Sequence, residues 1–217
     1  MSQPHVYVIH LKHRTDRKKQ FLKAWSDAGF STEHLHWHSA VLGSALSDTK
    51  LAAFRTVAKT RKARAGRVGC YCSHVAAIRK AIRLNHFPLL VLEDDAVPTK
   101  EVMPLNELFA AAPEATLLYF GAIPIKDRKR IKDYCQNKNG WFVPGDEQLY
   151  AAHSYGIATR EAAQEFVAFI AANKMTLDSA FVRYKKLHRD RVAIHCPFQF
   201  IQSEGFSNIE GVMRLKR

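Results

Sequence analysis

Short, unbroken apolar runs alternate with longer amphipathic stretches along this chain, the pattern of an α/β domain. Val6-Tyr7-Val8-Ile9-His10-Leu11 is rich in β-branched and aromatic residues and predicts a first buried strand. A turn then leads into a helix from Asp16 to about Ala28, with Phe21, Leu22 and Trp25 on one face and Gly29 as its stop. From His34 to Ala40, Leu35 and Trp37 alternate with His34, His36 and His38, which predicts a second strand. This strand–helix–strand opening is the start of a nucleotide-binding unit, although the G-x-G-x-x-G fingerprint of dinucleotide sites is missing. Ser47 and Asp48 cap a helix predicted to reach Ala63, and Gly66-Arg67-Val68-Gly69 predicts a break before a second helix from Cys70 to Leu84.

Leu89-Leu90-Val91-Leu92 follows Pro88 and reads as a strand buried on both faces. A helix near Leu105 to Ala112 and a strand from Thr116 to Phe120 come next, closed by Gly121. Residues 124–145 are polar and aperiodic and predict a long surface excursion. Tyr150 to Ala158 reads as extended, and Thr159 to Ala172 as a helix facing inward through Ala163, Phe166, Val167 and Ile170. Asp178 opens a short helix, and Val192-Ala193-Ile194 is the last predicted strand before an irregular end. No repeat or linker divides residues 1–217, so a single domain is expected.

The strand at Leu89 to Leu92 ends in Glu93-Asp94-Asp95. Three acids cannot be buried there without partners, and open α/β sheets place their ligands at the carboxyl ends of their strands. Clustered hard oxygens suit Mn²⁺ or Mg²⁺, which commonly bridges to nucleotide phosphates. The alternative is an acidic turn held by nearby Lys or Arg.

Charge widens the picture. The net charge of +13 concentrates around Lys59–Arg64, Lys126–Arg130, Arg183–Arg189 and the tail Arg214–Arg217. Together these blocks favour a polyanionic partner: nucleic acid, an anionic membrane surface or a phosphorylated glycolipid. No stretch has the roughly 18–20 apolar residues of a membrane span, which leaves peripheral membrane contact. No secretory signal pattern is seen at the N-terminus. Cys70, Cys72, Cys135 and Cys196 contain no C-x-x-C pair, so free thiols and a cytoplasmic location are expected, and zinc is disfavoured.

Four ordered segments resemble glycosyltransferase family 25, the lipopolysaccharide-biosynthesis type. They are Val8-Ile9-His10-Leu11-Lys12-His13-Arg14-Thr15-Asp16-Arg17, Gly66-Arg67-Val68-Gly69-Cys70-Tyr71-Cys72-Ser73-His74, Val91-Leu92-Glu93-Asp94-Asp95-Ala96, and Ala152-His153-Ser154-Tyr155-Gly156-Ile157. The ending Gln202 to Ile209 is also similar to the family's close. Departures are His10 for the family's usual Asn, Arg67 for its common Glu and Asn208 for an Asp.

The resemblance implies a GT-A-like fold, a Rossmann-type mixed sheet flanked by helices. It also implies metal-dependent transfer of a hexose, galactose or glucose, from a nucleotide-diphosphate sugar (a UDP-sugar first) to an acceptor hydroxyl. Asp95 and Asp94 are then the metal ligands, and Asp94 and Glu93 face the donor, with a structural ion pair as the alternative for Glu93. Arg14 and Arg17 meet the nucleotide or its phosphates, a role that suits the guanidinium fork, or else are solvated charges of a first turn. His153 and Tyr155 contact the donor sugar, or Tyr155 is core with its hydroxyl tied to backbone. Asp178 is the general base of an inverting reaction, or an ordinary helix N-cap. Cys70 and His74, at i and i+4, share an apolar helix face, so His74 is expected to be a hydrogen-bonded core histidine behind the site. The expected acceptor is a lipooligosaccharide or another saccharide. The alternatives are a hydroxylated base in DNA, reached single-stranded or flipped, or a non-catalytic polyanion-binding module.

Overall fold

The computed structural model describes residues 3–124, 134–146, 148–150, 152–203, 205–207 and 212–214. Its centre is a seven-stranded mixed sheet. In chain order the strands are β1 (His5–His10), β2 (Leu35–Ser39), β3 (Leu89–Glu93), β4 (Ala96–Pro98), β5 (Leu117–Tyr119), β6 (Ile123–Pro124), β7 (Gly140–Phe142), β8 (Leu149–Tyr150), β9 (Ser154–Ile157), β10 (Val192–Cys196), β11 (Phe200–Gln202), β12 (Gly205–Ser207) and β13 (Val212–Arg214). The large sheet runs β2-β1-β3-β9-β5-β10-β7. β2, β1 and β3 are parallel, β9 lies antiparallel between β3 and β5, and β10 runs parallel to β5 with β7 antiparallel on its outer edge. The helices are α1 (Thr15–Asp27), α2 (Asp48–Ala52), α3 (Arg61–Leu84), α4 (Leu105–Ala110), α5 (Arg160–Asn173) and α6 (Leu177–Leu187). This is the mixed sheet flanked by helices expected of the GT-A-like class.

The apolar runs explain the layers. Alternate strand residues point to opposite faces, and here both faces are covered, so the central strands carry no polar face. Tyr7, Ile9, Leu89, Val91, Tyr155 and Ile194 pack under α3, α5 and α6. Val6, Val8, Leu90, Leu92, Leu118 and Ala193 pack under α1 and α4 through Phe21, Trp25 and Leu108. Helix α1 stops as predicted: Gly29, at φ +78°, lets its own N–H reach the Ser26 carbonyl and the Phe30 N–H reach that of Trp25.

Helix α3 corrects the sequence reading. No break occurs at Gly66–Gly69; one 24-residue helix runs from Arg61 to Leu84. It is capped by the Thr60 hydroxyl, which accepts from the Ala63 N–H. Gly69 instead lets the helix meet the segment around Val41–Gly43, because a Cβ there would lie 2.8 Å from the Val41 carbonyl oxygen. Across the contact, a Cβ on Gly43 would lie 2.0 Å from the Ala65 carbonyl oxygen. Gly43→Ala therefore forces two backbones apart and is expected to cost about 1–3 kcal/mol or more. Gly29→Ala, with nothing near the added methyl, incurs only its left-handed φ penalty of roughly 1 kcal/mol. Urea denaturation of the two variants side by side checks the ranking.

Other expectations are also corrected. The helix opened by Ser47 and Asp48 ends at Ala52 rather than Ala63. Cys135 and Cys196 are joined in a disulfide, so four free thiols do not hold; Cys70 and Cys72 are free. The excursion from 124 contributes an edge strand, β7, and its block Lys126–Arg130 lies outside the described residues. So do Asn208 and Ile209 of the chain's ending and the last three residues of the basic tail. No helix among the described residues is long and apolar enough to cross a membrane.

Candidate active site

A cavity of about 570 Å³ opens at the carboxyl ends of β1, β2 and β3, where a parallel sheet presents its ligand crevice. Its floor is the turn Glu93-Asp94-Asp95, fixed by backbone bonds from the Glu93 N–H to the His153 carbonyl and from the Asp94 N–H to the Ile9 carbonyl. One wall is apolar: Ile9, Leu11, Ala40, Val41 and Leu42. Arg61 and Lys62, in the first turn of α3, line it too, together with Cys70 and His74 further along the same helix.

The two readings of the acidic triplet meet in one residue. Arg17 donates to Asp94 Oδ1 at 2.6 Å and lies 3.3 Å from Asp95 Oδ2, with all three side chains largely buried. Burial alone would lower the Arg17 pKa, but the Asp95 and Asp94 charges more than offset it and hold the guanidinium above its ordinary value. His10 Nδ1 takes the other Asp94 oxygen at 2.9 Å. The residue that departs from the family's usual Asn is thus a partner of the acidic turn, a role that sequence reasoning missed.

The structure brings Arg17, Glu93, Asp94 and Asp95 to the cavity. Arg14 does not line it; its guanidinium makes a two-pronged bond to Asp16, at 3.0 Å and 2.7 Å. His153 is buried beside Gly121, on the β9 side of the triplet. Tyr155 is fully buried, and its hydroxyl is tied not to backbone but to His74 Nδ1 at 3.0 Å. Asp178 sits at the second position of α6, where Thr176 rather than Asp178 is the N-cap residue, and it is not among the cavity's lining residues. Its charge still reaches the site: burial first, then Glu93 and Asp178, pushes the Cys70 thiol well up. His74 is a core histidine as expected, but the face it shares with Cys70 is not purely apolar. Glu93 Oε1 lies 3.7 Å from Cys70 Sγ and 3.5 Å from His74 Nε2.

Two donor sets are therefore available to a cation. Asp95 and Asp94 offer hard oxygens at the cavity floor, which suits Mn²⁺ or Mg²⁺ because such ions take one or two carboxylates and leave the remaining positions to phosphates and water. Cys70, His74 and Glu93 offer a thiol, an imidazole and a carboxylate within 4.8 Å of one another, a set better matched to softer metals.

Sequence reasoning also missed Arg61 and Lys62 as cavity residues, having placed them in a basic block in the last turn of the helix predicted to reach Ala63 rather than the first turn of α3. Their signal was the cap: a Thr60 N-cap puts the next two side chains in the first helical turn, where N–H groups and dipole favour an anion. The block at Arg183–Arg189 is partly consumed internally. Lys185 is buried and donates to the Gly145 carbonyl at 2.6 Å, and Arg189 to that of Pro144 at 2.8 Å.

The family model described as "Glycosyltransferase family 25 (LPS biosynthesis protein)" matches residues 3–181. Among curated proteins, a "Glycosyltransferase 25 family member" of Anopheles gambiae is 35% identical over 170 residues, covering 71% of this chain and 26% of its own length. One from Aedes aegypti is 26% identical over 167 residues, with the same two coverages. The chain thus spans about a quarter of the length of the curated relatives it matches. Among solved structures, mouse xyloside xylosyltransferase 1 in its apo form is 12% identical with a TM-score of 0.47, covering 88% of this chain and 84% of that one.

Proposed function

The chain belongs to glycosyltransferase family 25, and from that premise we propose that it moves a hexose from a nucleotide-diphosphate sugar to an acceptor hydroxyl. The observation that carries this reading is the juxtaposition in one cavity of the Glu93–Asp95 floor with Arg17, Arg61 and Lys62. Carboxylates for a cation and cations for an anion, beside an apolar wall, match the three parts of a nucleoside diphosphate bound with its metal. Ile9, Leu11 and Val41 cover the base and ribose. Arg61 and Lys62, at the positive end of α3, neutralise the diphosphate. Glu93 and Asp94 position the donor, and Asp95 with Asp94 would hold Mn²⁺ (or Mg²⁺). The ion, when bound, offsets charge that develops on the leaving diphosphate.

The sugar is galactose or glucose and the donor a UDP-sugar. His153 and Tyr155 act from behind the floor rather than from its surface, with Tyr155 holding His74 in place. Arg14 steadies the entry to α1 by pairing with Asp16. Inversion requires a base within about 2.6–3.2 Å of the acceptor hydroxyl, and Asp178 is assigned to it on the family likeness. Asp178→Asn is then expected to lower kcat by about 10²–10⁴-fold while donor binding holds. A loss under tenfold in single-turnover rates would remove Asp178 from that role.

The test of the reading is a thermal-shift panel of nucleotide sugars with and without Mn²⁺. Stabilisation by one donor that needs the ion supports it, and no shift with any donor, even with saccharide acceptors added, moves a polyanion-binding module to the front. The acceptor is a saccharide of the lipooligosaccharide kind. A DNA acceptor would show as duplex binding that falls steeply with log salt, whereas indifference to DNA at physiological salt favours saccharide.

A further inference from the structure

We propose that His5, His36 and His86 form a further cation site, for a divalent metal of the Zn²⁺ class, at the edge of the sheet remote from the cavity. His5 opens β1 and His10, which touches Asp94, closes it. Five strand steps, roughly 17 Å at 3.3–3.4 Å each, separate the two ends. The three imidazoles come from three different segments. Tyr7 pairs with His36 across β1 and β2, and β-strand alternation puts His5, Tyr7 and His36 on the face covered by α3. His86 follows that helix, which ends on Asn85 in the left-handed conformation, and its N–H closes back onto the Ala81 carbonyl at 3.0 Å. The His86 backbone is therefore fixed before any ligand arrives.

The distances fit a metal. His5 Nδ1 and His36 Nε2 are 3.1 Å apart, and one nitrogen from each of the three rings lies within 4.8 Å of the others. Zinc–nitrogen bonds of 2.0–2.1 Å in tetrahedral geometry put ligand nitrogens about 3.3–3.4 Å apart, so the spacing is near that of a metal site, and binding requires the rings, now stacked nearly parallel, to turn until their in-plane lone pairs converge. His86 Nδ1 is bonded to the Tyr7 hydroxyl at 3.0 Å. This is the outer contact that orients ligating histidines, and it leaves Nε2 as the nitrogen offered to a cation. Burial first, then His86, His36 and His34, brings the His5 pKa down to about 4, and burial and neighbouring cations including Lys80 lower those of His36 and His86. Without a metal, the three rings stack on one another, His5 over His86 at 3.9 Å, and share one direct His–His hydrogen bond. With three protein ligands a fourth position stays open to water, and the ion would tie β1, β2 and the end of α3 together.

The experiment titrates the chelator-treated 217-residue chain with Zn²⁺ by calorimetry, with melting temperature read in parallel. The histidine cluster is expected to bind one equivalent and raise Tm. His36→Ala and His86→Ala should each lower the affinity at least tenfold, and Tyr7→Phe, which removes only the orienting hydroxyl, about 10–100-fold. Cys70→Ser and Asp95→Asn should leave that equivalent intact, which separates this site from the cavity and its failure from failure of the transferase reading. His36→Gln serves if His36→Ala does not fold. Zn²⁺ binding that survives the histidine variants, that disappears with Cys70→Ser, or that is absent in the wild type overturns the proposal.

Discussion

Arg17→Met is expected to lower folding stability by about 3–5 kcal/mol, and Mn²⁺ is expected to restore part of it. The guanidinium is the buried partner of Asp94 and approaches Asp95 as well. Removing it leaves two largely buried carboxylates side by side without their shared guanidinium, Asp94 keeping its contact to His10. Breaking a buried pair from one side costs this much because the remaining charge has lost its solvation and its partner together. A divalent cation at the floor of the cavity supplies the missing positive charge, so added Mn²⁺ should stabilise Arg17→Met more than the wild type. Urea denaturation of both proteins, with and without the ion, measures both effects. Equal Mn²⁺ responses would remove Asp94 and Asp95 as a metal site while leaving the ion-pair account standing.

Asp95→Asn is the complementary change, and its largest effect falls on activity. Asp94 keeps its 2.6 Å bond from Arg17 whatever happens at position 95, so the fold should lose little. The cavity floor loses a hard anionic ligand, and with it the Mn²⁺-dependent stabilisation by donor. Turnover is expected to fall by about 100-fold or more, the scale seen when one preorganised contact to developing charge is removed. Thermal shift with donor and Mn²⁺, alongside single-turnover rates, checks both halves. A variant that keeps the Mn²⁺-dependent donor shift would overturn the metal role of Asp95.

How far the sequence carried these conclusions differs from residue to residue. The strands at Val6–Leu11 and Leu89–Leu92 were legible because burial on both faces leaves an unbroken apolar run, and three acids at the end of one such run located the cavity floor. Gly66 and Gly69 were misread because glycine punctuates loops and also permits close packing, and only the neighbouring segment at Val41–Gly43 decides which. The Cys135–Cys196 bridge joins residues 61 apart, a pairing that cysteine spacing does not reveal. His10 and Arg17 were visible as residues of the first segment, yet their convergence on Asp94, 84 and 77 positions away, is a tertiary fact. Arg61 and Lys62 illustrate the remaining gap, since a charge block reads the same whether it faces solvent or a cavity.

The unbroken course of α3 makes its length a matter of phase. The helix carries Arg61 and Lys62 at one end, Cys70 and His74 near the middle, and leads into His86 at the other. Each residue advances the helix by 1.5 Å and turns it by about 100°. One residue inserted between Lys62 and Cys70 would swing the two cations a quarter-turn or more away from the cavity with every local contact still formable. A single insertion in the loop before Thr60 has slack to absorb it. Gain or loss of single codons is thus tolerated on one side of Thr60 and disabling on the other, although neither segment contains one of the acids at the cavity floor.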